Sequence, residues 1–586
     1  MKFLRSLIAL MALTLTVDTP ATALSTHAER TDFRQTGRYQ ETIELCAAFA
    51  QEYPQAVRCE EFGRSPEGRP MLSLVVSHAA LTAEKARELQ LPVILIQGGI
   101  HAGEIDGKDA GFLALREMLQ AQAAKDALDK LVLVFVPVFN VDGHERFRAW
   151  NRPNQRGPEQ MGWRTNAQNY NLNRDYAKAQ TTEMRSMLGL INRWDPIIYA
   201  DLHVTDGAQF EHDVSVTLEP VYSGSAELRT AGLALRTLLM QRLTDQGSRP
   251  LPFYPSFIDY DNPASGFDAG VAQPRFSTGY MPLRNRFGVL VETHSWKDYK
   301  TRVRVTRNTI IDLIEATAAQ GQAWLKLAQQ ADSHAGEIAG ASVPLAYAAQ
   351  GEGHLVDFRG YAYTRTPSAI SGALATRYDE SKPQIWKIPL RDDVQPSLSV
   401  AAPGAGYIVP AAHAQWMAER LEVHAIEYRR LDAAINKADT QTFRAGKVTF
   451  AATSFENHQP TSFEGEWKPE PRDIAAGSLF VPIAQAKARL VVALLEPQAP
   501  DSYAAWGEFN AAFERKEYME GYVAEEIAVA MLKDDPAVAA EFNQRLASDA
   551  AFAADPAARL DFFARRHTSW DERYNLYPVL RVNTAP

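Results

Sequence analysis

Residues 92–104 read Pro-Val-Ile-Leu-Ile-Gln-Gly-Gly-Ile-His-Ala-Gly-Glu. The first six residues form a short apolar run that predicts a strand, and the Gly98-Gly99 pair predicts a turn directly after it. Comparable runs recur in the first half of the chain, at residues 71–77, 131–139, 196–202 and 288–293. Segments with helical spacing of apolar residues lie between them, for example residues 184–194 and 226–246. This alternation predicts an α/β fold in which helices cover a largely parallel sheet.

The second half of the chain has a different pattern. A helical pattern over residues 306–330 closes the α/β region, and a stretch rich in Ala, Gly and Ser from Asp332 predicts a linker. The patterns that follow predict a β-rich part over residues 343–410, a helix over 412–434, a β-rich part over 443–496 and helices over 502–566. We therefore expect one domain over residues 30–332 and a C-terminal domain over residues 343–586.

The composition excludes several classes of protein. At ~150 residues per domain, 586 residues suggest roughly two to four domains. The 46% hydrophobic and 23% charged content is that of a globular chain. With 61 Lys and Arg against 71 Asp and Glu, the charge argues against general affinity for nucleic acid or anionic lipid. A partner is therefore expected to bind at a local site.

The N-terminus resembles a cleavable signal peptide. Lys2 and Arg5 precede the apolar run of residues 7–17, and the small-residue triplet Ala21-Thr22-Ala23 follows it. Cleavage after Ala23 predicts a periplasmic or secreted protein, although an amphipathic first helix is the alternative. The run is shorter than the ~20 residues of a membrane-spanning helix, and no comparable stretch follows, so the mature chain is expected to lack a membrane segment.

The chain contains only two cysteines, Cys46 and Cys59. They permit one disulfide in an oxidising compartment but exclude both a disulfide framework and a thiolate-rich zinc module.

Three His-x-x-Glu pairs occur, and their contexts differ. Imidazole nitrogen and carboxylate oxygen are zinc ligands, and a three-residue offset on a tight turn can aim both at one point. Only the pair His101/Glu104 follows a predicted strand, at the carboxyl end where open α/β sheets build their sites. We interpret the other two pairs as solvated surface residues: His334/Glu337 in the linker and His424/Glu427 in a predicted helix.

Other strand ends carry polar groups that would meet at the same edge. The run over residues 196–202 delivers His203, and the run from Gly288 delivers Glu292. His203 would complete a two-histidine, one-carboxylate zinc site with a position left for water, and Glu292 would accept the proton of that water. The alternatives are a buried structural histidine and a salt-bridged glutamate. Asp201 shares a face with His203 and is either its hydrogen-bond partner or a competing ligand.

Arginine and asparagine side chains lie between these strand ends in the sequence, at Arg164, Asn173 and Arg174. The arginine fork matches a carboxylate, and a side-chain amide can hold the second oxygen. Such a set suits a substrate with a free terminal carboxylate and leaves one arginine for a developing oxyanion. For any single arginine, a surface salt bridge is the alternative.

In this order, His101-x-x-Glu104, Asn140-Val141-Asp142-Gly143, Trp163-Arg164, Asn173-Arg174, His203 and Glu292 resemble the zinc carboxypeptidases of the carboxypeptidase A type. The resemblance covers about residues 40–330. It implies a mixed sheet of about eight strands between helices, and one zinc ion bound by His101, Glu104 and His203. It further implies that Glu292 activates water, that Arg164 stabilises the oxyanion, and that Asn173 and Arg174 hold the substrate carboxylate.

Two positions depart from the family pattern. Family members often have an aspartate as partner of the first zinc histidine where this chain has Asn171. The tyrosine that closes over the substrate normally lies further upstream of the base than Tyr280 does. We nominate Tyr280 with Tyr260 as its rival, although a core aromatic is the alternative for both.

The leading hypothesis is a secreted or periplasmic zinc exopeptidase that removes C-terminal residues from peptides. Alternatives with the same site are a peptidoglycan-fragment peptidase and an N-acyl-amino-acid amidohydrolase. A peptide-binding relic that kept the fold but lost turnover is an alternative of another class. The C-terminal region is expected to be a packing domain, a partner-binding surface or a lid that limits substrate length. The sequence leaves the oligomeric state open.

Overall fold

The computed structural model describes residues 24–586, so the predicted signal peptide lies outside the described residues. The strands of the first half are β1 (Val57–Arg64), β2 (Pro70–Val76), β3 (Val93–Gly98), β4 (Val132–Val136), β5 (Ile198–Thr205), β6 (Val214–Glu219), β7 (Pro250–Leu251), β8 (Phe267–Asp268) and β9 (Phe287–His294). Eight of them form the largest sheet, in the spatial order β1-β2-β4-β3-β5-β9-β6-β7.

Helices pack around this sheet. They are α1 (His27–Arg30), α2 (Tyr39–Glu52), α3 (Ala83–Glu88), α4 (Asp106–Leu119), α5 (Val141–Glu145), α6 (Thr182–Trp194), α7 (Ala226–Asp245), α8 (Ser277–Tyr280) and α9 (Tyr299–His334). The central strands β4, β3, β5 and β9 are parallel, and antiparallel pairings flank them. All residues of β3, β4 and β5 are buried, as expected for strands covered on both faces. The predicted mixed, largely parallel sheet is confirmed.

The helix that closes the first half is longer than its apolar pattern predicted. It begins at Tyr299, where the Asp298 side chain accepts a hydrogen bond from Thr301 N at 2.8 Å. It ends at His334 and continues as a short 3₁₀ turn over Ala335–Ile338, so the first residues of the predicted linker are helical.

The second half is β-rich and then helical, as predicted, except that Ala488–Leu495, within the stretch predicted as β-rich, forms a helix. Its strands are β10 (Ser342–Ala349), β11 (His354–Pro367), β12 (Leu374–Arg391), β13 (Val394–Ala401), β14 (Gly406–Val409), β15 (Arg429–Arg430), β16 (Ile435–Ala438), β17 (Gln441–Phe450), β18 (Thr461–Pro469), β19 (Arg472–Ile474), β20 (Leu479–Pro482) and β21 (Leu580–Val582). Its helices are α10 (Ala414–Val423), α11 (Ala488–Leu495), α12 (Gly521–Asp534), α13 (Pro536–Ser548), α14 (Ala550–Ala554) and α15 (Pro556–Ala564). The helix predicted over residues 412–434 is shorter because the chain turns at Ala425, which has a left-handed φ of 51°.

The two halves share one apolar core. Its buried residues include Ile94 and Leu202 of the large sheet together with Tyr407, Leu490 and Tyr577 of the second half. The long β11–β12 hairpin also pairs with β8, where Leu390 lies opposite Phe267. The second half is thus packed against the α/β half rather than tethered to it.

Cys46 of α2 and Cys59 of β1 form a disulfide with a Cα–Cα distance of 5.4 Å. Within residues 24–586, no helix has both the length and the apolar character needed to cross a bilayer.

Candidate metal centre

The turn after β3 places the first two candidate ligands. Gly98 lies against a neighbouring loop, since an added Cβ would lie 2.8 Å from Pro137 O, and Gly99 has a left-handed φ of 64°. Gly103 is equally close to its surroundings, because a Cβ there would lie 2.8 Å from the Cδ atom of Arg152. These glycines let the chain turn sharply, so that His101 and Glu104 project from one short loop.

His101, Glu104 and His203 come together, and all three are buried. One ligand atom from each lies within 4.8 Å of those of the other two. His101 Nδ1 lies 3.0 Å from Glu104 Oε1 without a hydrogen bond, and His203 Nδ1 lies 2.9 Å from Glu104 Oε2. Two imidazole nitrogens and a carboxylate directed at one point fit the donor set of zinc.

The far nitrogen of each imidazole ring has its own partner. His101 Nε2 lies 3.0 Å from Asn171 Oδ1, the side chain that stands where the family often has aspartate. His203 Nε2 lies 3.1 Å from Asp201 Oδ1 without hydrogen-bond geometry, and Gln97 and Ser277 donate hydrogen bonds to that carboxylate. Asp201 therefore lies behind His203 instead of competing as a ligand. Both contacts favour Nε2–H tautomers, which leave Nδ1 free to bind a metal.

The charges at this site differ between the two histidines. Burial lowers the pKa of His101 to about 4, which favours the neutral ligand form. Burial acts in the same direction at His203, but the carboxylates of Asp201 and Glu104 outweigh it and raise the His203 pKa well above its usual value. A bound cation would replace that proton.

Arg152 is a neighbour of Glu104 that the sequence did not reveal. Its Nη1 lies 2.5 Å from Glu104 Oε1, and its Nη2 donates to Val204 O at 3.0 Å. Val204 N donates to Glu104 Oε2, and Arg164 Nη1 lies 3.4 Å from Oε1. Burial would raise the pKa of Glu104, but Arg152 and the histidines hold it well below its usual range. Arg152 follows no strand and belongs to no motif, so only the folded chain brings it here.

Glu292 lies on β9 directly opposite His203 of β5 in the parallel pairing. It is buried, and its Oε2 atom makes no hydrogen bond within the described chain. Burial raises the pKa of Glu292 to about 8; the Glu104 carboxylate adds to this shift and His203 opposes it. Such a carboxylate can bind and release a proton near neutral pH.

The anchor loop, which we define as residues 166–175, carries Asn173 and Arg174. The Arg174 guanidinium lies over the Phe276 ring, 4.5 Å from its centroid, and donates to Asn173 O. Burial, with the charges of Arg164 and Arg275 nearby, lowers the Arg174 pKa to about 10. The side chain therefore stays charged at neutral pH and makes no ion pair within 4.0 Å in the described residues.

A single cavity of about 480 Å³ joins these groups. Its lining includes all of the predicted site residues except one: His101, Glu104, Arg164, Asn173, Arg174, His203 and Glu292. The exception is Tyr280, which is 0% exposed in the core and shares a hydrogen bond of 2.8 Å with His424 Nδ1. The structure therefore does not support Tyr280 as a substrate-binding residue, and its rival Tyr260 is 94% exposed and outside the lining.

Two other tyrosines, Tyr222 and Tyr254, line the cavity, and the Tyr254 hydroxyl lies 3.3 Å from Thr205 Oγ1. The sequence indicated only that the family's tyrosine lies further upstream of Glu292 than Tyr280 does. Tyr254 lies in irregular chain between β7 and β8, where sequence spacing does not predict position in space.

The other two His-x-x-Glu pairs lie outside the cavity. His334 is exposed, as predicted. The prediction that His424 is a solvated surface residue is wrong: the ring is fully buried, with Nε2 bonded to Ala177 O at 3.0 Å. The helical pattern around it concealed contact with the first half of the chain.

Comparison with known proteins finds similarity to zinc carboxypeptidases in the first half of the chain. Residues 42–228, about a third of the chain, match the family model described as zinc carboxypeptidase. The inactive metallocarboxypeptidase ecm14 of Schizosaccharomyces pombe is 35% identical over 103 residues, which cover 16% of this chain and 20% of that protein. Carboxypeptidase B of Helicoverpa zea is 29% identical over 114 residues, 18% of this chain and 25% of that one. The chain thus spans a quarter or less of these relatives.

Two solved structures of metallocarboxypeptidases are also similar. Carboxypeptidase A from Helicoverpa armigera gives a TM-score of 0.36 at 16% identity, over 49% of this chain and 75% of that one. The metallo-carboxypeptidase from Burkholderia cenocepacia gives 0.34 at 17% identity, over 47% and 69%. His101, Glu104 and His203 all lie within residues 42–228, the part of the chain that matches the zinc carboxypeptidase family model.

Proposed function

We propose that the chain is a zinc-dependent exopeptidase that removes C-terminal amino acids from peptides. The observation that supports this most directly is the shared cavity, which a three-donor metal group, the isolated carboxylate of Glu292 and the cationic Arg174 all line. Hydrolysis of a terminal amide needs a metal site, a general base and a carboxylate-binding cation within about one peptide unit of one another.

His101, Glu104 and His203 would hold one zinc ion per chain. The ion supplies Lewis-acid chemistry, because it lowers the pKa of water from ~15.7 to about 7 and polarises a carbonyl. Asn171 and Asp201 would keep both imidazoles in the ligand tautomer, and Arg152 would fix the orientation of Glu104.

Glu292 would act as the general base and then as the general acid. Its carboxylate would take a proton from the attacking water and deliver it to the leaving amine nitrogen. Burial raises the pKa of Glu292 to about 8 in the metal-free site, and a bound cation would lower it again, which favours the charged form that accepts the proton. Arg164, whose side chain is 41% exposed at the cavity, would donate hydrogen bonds to the oxyanion.

Asn173 and Arg174 would bind the free carboxylate at the end of the substrate. Arg174 makes no ion pair in the described residues and keeps guanidinium donors besides the one that bonds Asn173 O, and the Phe276 ring lies against the plane of those donors. A carboxylate held at this point would leave only the last peptide bond within reach of Glu292. Tyr254 would lie beside the bound residue.

The same set would also serve a peptidoglycan-fragment peptidase or an N-acyl-amino-acid amidohydrolase, since both substrates combine an amide with a carboxylate. A peptide-binding relic is the remaining alternative, and one relative carries the word inactive in its name. The buried carboxylate of Glu292 favours turnover, because binding alone does not need a base opposite a metal ligand.

We further propose that the protein is periplasmic or secreted after cleavage behind Ala23, and the Cys46–Cys59 disulfide supports an oxidising compartment. Residues 30–332 would form the catalytic domain and residues 343–586 a C-terminal domain that packs on it.

The test is hydrolysis of a mixed peptide library by the chain without its first 23 residues, followed by mass spectrometry with and without a chelator. Loss of single C-terminal residues that the chelator abolishes is the expected result. Zinc binding without peptide cleavage would contradict the exopeptidase proposal, and muropeptides and acyl-amino acids would then be the substrates to assay.

A further inference from the structure

A turn from the second half of the chain reaches the anchor loop. The β17–β18 turn, which we define as residues 455–458, is closed by two backbone hydrogen bonds between Phe455 and His458. Its central residues Glu456 and Asn457 have left-handed φ values of 49° and 64°, the pattern of a type I′ hairpin turn. The turn lies between β17 and β18, almost 300 residues beyond the loop that it contacts.

Three consecutive residues of this turn bind the anchor loop or the segment after it. Glu456 Oε2 accepts a hydrogen bond from Asn171 N at 3.0 Å. Asn457 Nδ2 donates to Tyr170 OH at 3.1 Å, and His458 Nε2 lies 2.8 Å from Gln180 Oε1. Within residues 24–586, the backbone N–H of Asn171 donates a hydrogen bond to Glu456 and to no other acceptor.

Aromatic and charged contacts hold the turn in place. Phe455 stacks on Trp506 with 5.9 Å between ring centroids, and Arg275 lies over both rings. Arg275 is bound in turn to Asp501 at 2.8 Å, and its neighbour in sequence is Phe276, the ring beneath Arg174. The second half therefore supports both sides of the substrate anchor.

The contact with Asn171 leads directly to the candidate metal ligand. The Asn171 side chain accepts from His101 Nε2, and its Oδ1 also accepts from Asn173 N at 3.1 Å. A shift of the Asn171 backbone would therefore move the partner of His101 and the start of the carboxylate anchor together.

The residue type at position 456 is itself informative. A left-handed φ is costly for glutamate and is adopted freely by glycine, so turn geometry alone favours glycine there. Glutamate contributes a carboxylate instead, and that carboxylate binds the anchor loop. Local strain that accompanies a long-range contact of this kind is typical of functional positions.

We propose that Glu456 is a positioning residue for the metal site and the substrate anchor, acting through Asn171. The inference rests on the proposed zinc site and deepens it, because it makes the second half of the chain a working part of that site. Glu456 does not touch the cavity, so it is expected to act on geometry rather than on the reacting atoms.

The test compares Glu456→Gly, Glu456→Gln and Glu466→Gln in the full mature chain. Glycine relieves the left-handed strain but removes the acceptor, whereas glutamine keeps a carbonyl acceptor and removes the charge. Glu466 is an exposed carboxylate on the adjacent β18 and serves as the control. The measurements are thermal melting, zinc affinity of the metal-free protein by chelator competition, and KM and kcat on a cleaved peptide.

We expect Glu456→Gly to melt no lower than the parent, yet to bind zinc about 3- to 10-fold more weakly and to show a raised KM. Glu456→Gln should recover most of both losses, and Glu466→Gln should match the parent. Parent-like zinc affinity and KM in Glu456→Gly would overturn the positioning role. Absence of zinc from the parent itself would instead overturn the proposed function.

Hydrogen exchange gives a readout that needs neither zinc nor substrate. In the metal-free protein, peptides that cover residues 168–175 should exchange faster in Glu456→Gly than in the parent. Unchanged exchange there would contradict the inference.

Discussion

The metal-facing edge of the sheet and the anchor loop are built in different ways. At the sheet edge, His203 and Glu292 are fixed by strand pairing, and His101 follows the end of β3. In the anchor loop, Asn171 and Arg174 are fixed by side chains that come from distant parts of the sequence. Backbone register thus places the groups for bond cleavage, and long-range contacts place the groups for substrate binding. The comparison suggests that substrate range can change without disturbing the chemistry.

The largest expected effect is at the sheet edge. Glu292→Gln keeps the size of the side chain but cannot accept a proton, so kcat should fall by about 10²- to 10⁴-fold while zinc stays bound. Steady-state kinetics with zinc quantification checks this. Asp312→Asn, a buried carboxylate on α9 bonded to Gln246, is the control and should keep parent activity. Parent-level kcat in Glu292→Gln would remove the general base from the mechanism.

The anchor loop should respond differently. Arg174→Ala should raise KM by about 10- to 100-fold with a smaller change in kcat, because a charge-assisted contact with the substrate carboxylate is lost. The loss should disappear for peptides with an amidated C-terminus, which the parent itself should bind poorly. Arg185→Ala, an exposed arginine on α6, should leave KM unchanged. An equal rise of KM for peptides with a free and with an amidated C-terminus would show that Arg174 does not bind the substrate carboxylate.

In the metal-free protein, the buried Glu292 should change how the free energy of unfolding depends on pH. Because folding raises the pKa of Glu292 to about 8, the folded state keeps a proton that the unfolded chain has lost above about pH 4.5. The free energy of unfolding should therefore fall by up to ~1.4 kcal/mol per pH unit between about pH 5 and 8. Glu292→Gln should lack this component when both proteins are melted across that range. Identical pH profiles would show that Glu292 titrates normally.

The smallest effect is expected from the tyrosine at the cavity wall. Tyr254→Phe removes one hydroxyl, so kcat/KM should fall by about two- to tenfold. Tyr260→Phe, at an exposed position outside the cavity, should have no effect. A Tyr254→Phe variant with the kcat/KM of the parent would show that the Tyr254 hydroxyl does not contribute to substrate binding or turnover.

The metal-facing groups that the sequence predicted follow or lie on regular strands, whereas Arg164, Asn173 and Arg174 were predicted from their residue types and order and lie outside the strands and α-helices. The runs that end near His101, His203 and Glu292 are recognisable strands, and parallel pairing brings their ends to one edge. Arg152 and Tyr254 escaped prediction because irregular chain carries them to the cavity. Tyr280 was nominated from its position in the sequence, and the structure places it in the core, outside the cavity lining.

The second half was predicted as β-rich and then helical, but its contacts were not. The sequence around His424 predicts a helix. It does not indicate that the His424 ring is buried against Tyr280, with which it shares a hydrogen bond. Likewise, nothing local to Glu456 indicates that its carboxylate binds Asn171. Contacts between segments far apart in sequence depend on the whole fold, and amphipathic patterns do not encode them.

The measurement that tests the central claim most directly is zinc per chain in the parent, Glu292→Gln and His203→Ala, each purified without the first 23 residues. We predict about one zinc ion in the first two proteins and a large loss in the third. A parent without zinc, or a His203→Ala variant that retains it fully, would contradict the proposed metal site.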